Sequence, residues 1–459
     1  MASLSGILAI ATGALGADQV ALNATANNVA NVNTPGYARV EPDFVTSPPV
    51  VIGSISYGSG VSLEKLQSIQ DPILQARIQQ ETQQQGQLNA SLGALQQVQS
   101  NFSSTSGGDI GSLLSGLFSS LDQLSTDPSN LSDRQGVLTA ANNLATAFNN
   151  TASSLVQQQS SLDLNVTQAV QQINTLTGQI AGLNTQISTL QGTGQDASAF
   201  IDQRNVLIGQ LSNLIGISQI QTENNGITLV TGNGTPLVTG SQSFQLSSQT
   251  NASGHQDVFA SGTDITSQIS SGELAGYIQV RDQTIPSVLS NLDTLAAGIA
   301  NGFNAANAEG FDLNGNAGGN IFVPPPASGV GAAANLQIAI TDPALIAASS
   351  DGSPDSNGNV ANLSAVATQP ISGQTPTDFY SGIVFNVGND VSNGTAELSS
   401  AQLVLNQLQD QLGSISGVSL DEEAANTVQY QQAYDAAAKV VTTIDDLMTT
   451  VITMMDLNQ

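Results

Sequence analysis

Apolar residues recur at steps of three and four along most of this chain, and the places where the step fails divide it. Near the start, Leu4, Leu8, Ala11, Leu15, Leu22 and Val29 form one stripe, with polar Asp18 and Thr25 at the skipped positions. That spacing predicts an amphipathic helix. It runs into LNATANNVANVNTPGYAR, Leu22 to Arg39. There Pro35 biases Thr34 toward extended backbone, and Pro35-Gly36 suits the centre of a type II turn. A Gln-rich helix follows later, with Leu88, Leu92 and Leu95 as its clearest apolar steps. The longest repeat runs Leu138, Ala141, Ala145, Phe148, Ala152, Leu155, then polar Gln159, then Leu162, Val166, Ala169, Ile173, Leu176, Ile180, Leu183, Ile187 and Leu190. A repeat this sustained predicts a coiled-coil seam, on a helix on the order of 80 Å long at 1.5 Å per residue. Helix resumes near Gly272 and passes Leu289, Leu292, Ala296, Ile299 and Phe303, with Pro286 near an internal boundary or kink. Two more seams close the chain: Leu405, Leu408, Leu412 and Ile415, then, after Gly417, Tyr430, Tyr434, Ala437, Val441, Ile444, Met448, Val451 and Met455.

Between these helices the period changes. Residues 42–60 are punctuated by Pro, Gly and Ser and read as an extended linker or hairpin. From Ile217 to Ile269, apolar and polar residues alternate between Asn-Gly, Gly-Asn and Gly-Ser pairs, which predicts hairpins. Residues 310–376 are rich in Gly, Asn, Pro and Ser, and are expected to lie along a surface. The expected fold is mainly α with a small inserted β domain, elongated and multidomain. Its N- and C-terminal helices pair as a coiled coil, and its body is a long-helix bundle. The expected divisions are 1–40 with 418–459 as a terminal assembly domain, 41–215 with 272–417 as the helical body, and 216–271 as the β insertion.

Composition narrows the function. Charged residues make up 9% of the chain, and 7 Lys and Arg face 35 Asp and Glu, for a net charge of −28. Such a surface repels phosphates and anionic headgroups, so neither nucleic acid nor membrane is an expected partner. The chain has no cysteine, which excludes disulfides and thiolate chemistry. ILAIATGALGA has the look of a signal core, but no Lys or Arg precedes it and the stripe continues through it, so it reads as part of the mature helix. No apolar run is expected to reach membrane-spanning length.

Candidate chemistry is sparse. His255 is the sole histidine and reads as a surface residue in a polar turn. Asp312, Asn314 and Asn316 begin like a calcium loop, but Ala317 and Val323 stand where Gly and Glu are required, so the segment reads as an Asx-rich turn. Asp421, Glu422 and Glu423 precede the last repeat and suit the first turn of a helix. No phosphate-binding loop or nucleophile elbow is present. The expectation is therefore a non-enzyme with no catalytic residue, metal or cofactor. Asn23, Asn27 and Asn31, four apart, share one helical face, and amides there point to side-chain hydrogen bonding with a neighbour.

The motifs add a resemblance. SGILAIATGALGADQVALNATANNVANVNTPGYAR is similar to the N-terminal signature of the bacterial flagellar axial proteins, the rod, hook and hook-associated family. GVSLDEEAANTVQYQQAYDAAAKVVTTIDDLMTTVI, FIDQRNVLIGQLSNLIGI and the stretch from Gly276 to Phe322 resemble the hook-associated members. Ala38 and Ala437 depart from the usual Ser and Asn, and the β insertion is short for the family. The resemblance implies a structural subunit exported unfolded through the flagellar apparatus, without a cleaved leader, to an extracellular site at the distal end of the hook. It further implies a monomer in solution that forms a ring with copies of itself. The implied partners are the hook protein, the next hook-associated protein and an export chaperone. The expected assembly contacts are Asn23, Asn27, Asn28, Asn31, Asn33, Thr34, Pro35, Gly36 and Tyr37 at one end. At the other they are Tyr430, Tyr434, Val441, Ile444, Met448 and Val451. A distal rod or hook protein is the alternative within the family, and a secreted adhesin or hydrolase the alternative outside it.

Overall fold

The stretches with three-and-four spacing form the long helices, and the turn-rich breaks separate them. The computed structural model describes residues 2–52, 55–103, 108–222 and 226–456. It divides into two units. The first takes Met1–Gln84, Gln172–Leu246 and Ala401–Gln459, and the second Gln85–Gln171 and Ser247–Ser400.

In the first unit, α1 (Ala2–Asn31) is followed by β1 (Val40–Thr46), β2 (Val50–Ile52), β3 (Ile55–Tyr57) and β4 (Val61–Ser68). The expected linker or hairpin is thus two nested hairpins, β1 with β4 and β2 with β3, both antiparallel. The helix α2 (Pro72–Ser100) begins in this unit and α4 (Leu131–Gly192) ends in it. Then come α5 (Ser198–Leu214) and an antiparallel meander of β5 (Ile217–Gln221), β6 (Ile227–Thr231), β7 (Pro236–Thr239) and β8 (Gln242–Ser243). The unit closes with the end of α9 (Pro376–Ser416) and all of α10 (Leu420–Asp456).

The second unit holds α3 (Ile110–Thr126), whose first turn is capped by Asp109 accepting from the Ser112 amide at 3.0 Å. Its sheet is β9 (Leu246–Thr250), β10 (Gln256–Ala260) and β11 (Thr263–Asp264). Next come α6 (Glu273–Gln279), α7 (Ile285–Ala308) and α8 (Val360–Ala365). The break near Pro286 is one wide π turn, Val280–Thr284, after which Pro286 lies in the first turn of α7. Widening a helix frees a carbonyl, and Gln159 Nε2 donates to the Arg281 oxygen at 2.9 Å. The polar residue that interrupts the α4 repeat is therefore a buried bond.

Several expectations change here. The strands of 216–271 form two sheets, and these fall in different units. Where one sheet gives way to the other in the sequence, Asn174 on α4 clamps Leu246, donating to its carbonyl and accepting from its amide, both at 2.8 Å. The irregular segment 310–376 does not simply lie on a surface: Ile321, Phe322, Ala333 and Ile346 are fully buried. Polar side chains replace the missing secondary structure as bonding partners for its backbone. Asn304 bonds both the amide and carbonyl of Phe322 at 2.9 Å, and the buried Arg134 donates to the Ile346 carbonyl at 2.6 Å. Asp312 sits in the expected Asx turn, accepting from the Asn314 and Asn316 amides at 2.8 Å. His255 is not a free surface residue. Its Nδ1 lies 3.0 Å from Asp163, which also pairs with the buried Arg281 at 2.8 Å.

Candidate assembly site at the chain termini

The turn NTPGYAR follows α1 directly. Tyr37 N donates to Thr34 O at 3.2 Å, closing it, and Gly36 takes φ +78°, the left-handed region that glycine adopts without strain. A side chain at Gly36 would also collide with Val206. The turn sends the chain back along α1 as β1, and Asn28 fixes it there. Only 2% exposed, Asn28 accepts from the Val40 amide at 2.9 Å and the Tyr37 hydroxyl at 2.8 Å. It donates to the Val40 carbonyl at 3.0 Å and to Glu423 at 3.1 Å. Those four bonds exhaust an amide's capacity. One side chain thus joins α1, β1, the turn and the first turn of α10.

Charges reinforce the join. Arg39 pairs with Glu41 at 2.7 Å and Glu422 at 2.6 Å, and its amide donates to the Ser416 carbonyl at 2.9 Å. Glu422 and Glu423 sit in the first turn of α10, as expected, and in addition tie α10 to the N-terminal segment. Burial raises the Glu423 carboxyl above its ordinary range despite the Asn28 bond and nearby Arg39. Burial likewise pushes the Tyr37 hydroxyl to about 12, with Asp202 and Glu423 adding to the rise. On α5, Asp202 accepts from the Ala38 amide at 3.1 Å and Gln70 Nε2 at 2.9 Å, and burial lifts its carboxyl to about 6.

Beyond the join, α1 packs along α10. The buried line on α1 is Ala11, Ala17, Ala21, Ala24, Thr25 and Asn28, while Leu15 and Leu22 are half-buried and Val29 is 41% exposed. The expected stripe is therefore displaced. Small side chains let the helix axes approach, so the alanines take the centre and the leucines move to the flanks. On α10, Ile444 is buried; Tyr430, Val441, Met448 and Val451 are half-buried; Tyr434 is exposed. The Met455 side chain lies outside the described residues. Leu4–Asn31 also corrects the membrane-length expectation. Without an unbroken apolar run, it is long enough and apolar enough to cross a membrane by length and composition, at a mean hydropathy of 1.3.

The structure separates the predicted amides. Asn28 is in the join, but Asn23 and Asn27 are exposed and Asn31 half-buried. Asn31 donates to Asn27 Oδ1 at 2.6 Å and accepts from the Thr34 hydroxyl at 3.1 Å. Asn33, Thr34, Pro35 and Gly36 are exposed beside them. Asn23, Asn27, Asn31, Thr34, Pro35 and Gly36, together with α5, border a groove of about 600 Å³, which Asn33 does not line.

Known proteins share this pattern of helices and termini. Residues 95–322 match the family model described as the flagellar hook-associated protein FlgK helical domain. Residues 412–454 match the flagellar basal body rod FlgEFG protein C-terminal family, and residues 8–37 the flagella basal body rod protein family. Flagellar hook-associated protein 1 of Bacillus subtilis is 29% identical, covering 96% of this chain and 96% of its own. The Escherichia coli protein of that name is 25% identical over 98% of this chain and 100% of its own. Over nearly its whole length the chain is similar to flagellar hook-associated protein 1. The fold agrees: the flagellar hook junction protein FlgK from Burkholderia pseudomallei superposes with a TM-score of 0.66 at 17% identity, over 74% of this chain and 100% of that one.

Sequence reasoning missed Arg39, Val40, Gln70, Asp202, Val206 and Glu423 as parts of the site. Asp202 lay within the FIDQRNVLIGQLSNLIGI stretch that carried the resemblance, which was a usable signal. Val206 lay in the same stretch, whereas Gln70 carries no local signal, since only the fold brings it to the turn.

Proposed function

We infer that this chain is a structural subunit of the bacterial flagellum that forms the junction between hook and filament. The observation that carries the reading is the α1–α10 pair: Asn28 joins its two helices, yet the pair leaves much of its apolar surface uncovered in the single chain. Val440, Leu447, Ile452 and Met454 on α10 are 43%, 49%, 61% and 62% exposed. Packing among copies would cover that surface. On this reading the chain polymerises at the distal end of the hook, contacting the hook protein below and the next hook-associated protein above. It reaches that extracellular place through the flagellar export apparatus, attended by a chaperone.

The test is a strain lacking the chain, scored for swimming and by electron microscopy. The expected result is hooks without filaments, restored by the full chain. Filaments growing normally on the hooks of the deletion strain would overturn the reading. Labelled subunits spread along the hook shaft would make the chain a hook or rod component instead.

A further inference from the structure

The β2–β3 hairpin pairs Val50 with Tyr57 and Val51 with Ser56, and its sheet has just two strands among the described residues. Val50, Val51 and Tyr57 are 54%, 66% and 50% exposed. A bare two-stranded ribbon is marginal in water, and clustered exposed apolar side chains mark a contact surface. The root of the ribbon is firmly held. Ser47 N donates to Gly60 O at 3.0 Å, and Gly60, at φ +93°, lies so close to α1 that a Cβ would stand 3.1 Å from Ile10 Cγ2. The ribbon is thus rooted at the Ile10 level of α1.

The groove of about 600 Å³ lies near the other end of α1. Val20, Leu66 and Val206 supply apolar wall, and Asn23, Asn27 and Gln203 supply an amide rim. We propose that the β2–β3 ribbon of one copy, with Val50, Val51 and Tyr57, seats in the amide-rimmed groove of the next copy. This rests on the self-assembling junction subunit argued above. Along α1, Ile10 is about 15 Å from Val20 at the near edge of the groove and about 25 Å from Asn27, at 1.5 Å per residue, so a hairpin rooted at Ile10 stands apart from its own groove. The geometry therefore favours contact between copies.

Charge singles out the same partner. Two copies each carrying −28 repel, so they meet best where neither is charged. From Phe44 to Leu63 the sequence has no Asp, Glu, Lys or Arg. The two carboxylates bordering the groove are already engaged, Asp202 by Ala38 and Gln70, and Asp196 by Ser198. The edges of a two-stranded ribbon carry unpaired N–H and C=O groups, and an Asn or Gln amide both donates and accepts. Hairpin and groove are different patches, so the contact is heterologous. It repeats from copy to copy as a ring or helix and does not end at a dimer.

The chain has no cysteine, so introduced pairs report cleanly. Val51→Cys and Gln203→Cys, together in the full-length chain, are incorporated into flagella and treated with a short bismaleimide. The expected result is a ladder of crosslinked copies that neither single variant gives. Incorporated double variant that yields no ladder, or that links to a different flagellar protein, overturns the proposal. Should the cysteine pair fail to incorporate, a charge pair replaces it. Val51→Glu alone should cut incorporation at least tenfold and Gln203→Lys should restore it; absence of either effect overturns the proposal. If the unsubstituted chain is itself missing from flagella, the junction reading fails separately.

Discussion

Ile299 on α7 and Ile444 on α10 occupy helices with the same three-and-four spacing, yet their surroundings differ sharply. On α7, Ile285, Leu292, Leu295, Ala296, Ile299 and Phe303 are all essentially inaccessible, and Phe303 lies 6.1 Å from the Phe118 ring and 5.9 Å from that of Phe322. On α10, Ile444 is the deepest apolar side chain among the described residues, and Val440 and Leu447 remain 43% and 49% exposed. The difference lies in what is available to cover each helix. Apolar residues from α3, α4, α8 and the irregular chain join α7 in one core. Partial burial along α1 and α10 leaves both helices with apolar surface to spare. Spacing shows that a helix has an apolar side, and neighbours determine whether that side is closed.

The largest effect should come from the closed core. Phe303→Ala removes a ring from a packed aromatic cluster and should cost about 3–5 kcal/mol. Ile444→Ala, in a partly covered seam, should cost less than half as much in the purified chain. Ile444→Asp should block filament growth in cells while hydrogen exchange over 285–308 stays unchanged. Thermal unfolding of the two alanine variants checks the first pair. Equal losses would mean that the terminal pair is as closed as the core.

Asn28→Ala should come next. It strands the Val40 amide and carbonyl and the Tyr37 hydroxyl, and each buried group left unbonded costs about 1–3 kcal/mol. Part of that cost is recovered by water, because the join lies close to the surface. The expected sign is faster amide exchange at 37–40 and 420–424, with no change at 285–308. Unchanged exchange at Val40 would show that the turn is held without the amide.

The long repeats were legible because helical period is local: Leu138 to Leu190 needs no knowledge of the partner to be read as a seam. The bond at Gln159 was legible only as a gap, since its partner, the Arg281 carbonyl, is 122 residues away. The stripe on α1 was misplaced because hydrophobicity favours leucine, while close helix packing selected alanine. The row Asn23, Asn27 and Asn31 was identified as special, but the residue that bonds in every direction is Asn28, one step off that face. Nothing local distinguishes it; Val40 and Glu423 do, and only folding brings them near.

Carboxylates sharpen the contrast between the units. In the first, burial raises Asp18, Glu423 and, to about 6, Asp202. In the second, hydrogen bonds lower Asp264, and they lower Asp109 against an opposing burial effect. A raised carboxyl holds its proton in the fold at a pH where the unfolded chain has lost it. Its contribution to stability therefore falls as pH rises, for Asp202 between about 4 and about 6. A lowered carboxyl has the opposite sign, and its contribution is lost as pH falls below 4. Going from pH 7 to pH 5 should thus slow amide exchange around Ala38 and Gln70 relative to that around Ser112 and Thr266. The same change at both places would remove the distinction.

The smallest effect in the purified chain should follow from replacing Asn23, Asn27 and Asn31 with alanine. Asn23 and Asn27 are exposed, and the bond from Asn31 to Asn27 at 2.6 Å is internal to the row, so no buried partner is stranded. Alanine is also the better helix former, by several tenths of a kcal/mol at each position. Thermal unfolding should therefore be unchanged or slightly higher, in contrast to Asn28→Ala one step around the helix. In flagella the order should reverse. The row rims the groove, and a neighbour seated there would lose an amide partner at every repeat of the ring. Filaments should shear off more readily, with hook number unaffected. The measurement is filament length and retention after controlled shear, set beside unfolding of the same purified variant. A lower melting temperature would place these amides in the monomer's own packing; full filament retention with an unchanged melting temperature would return them to solvent.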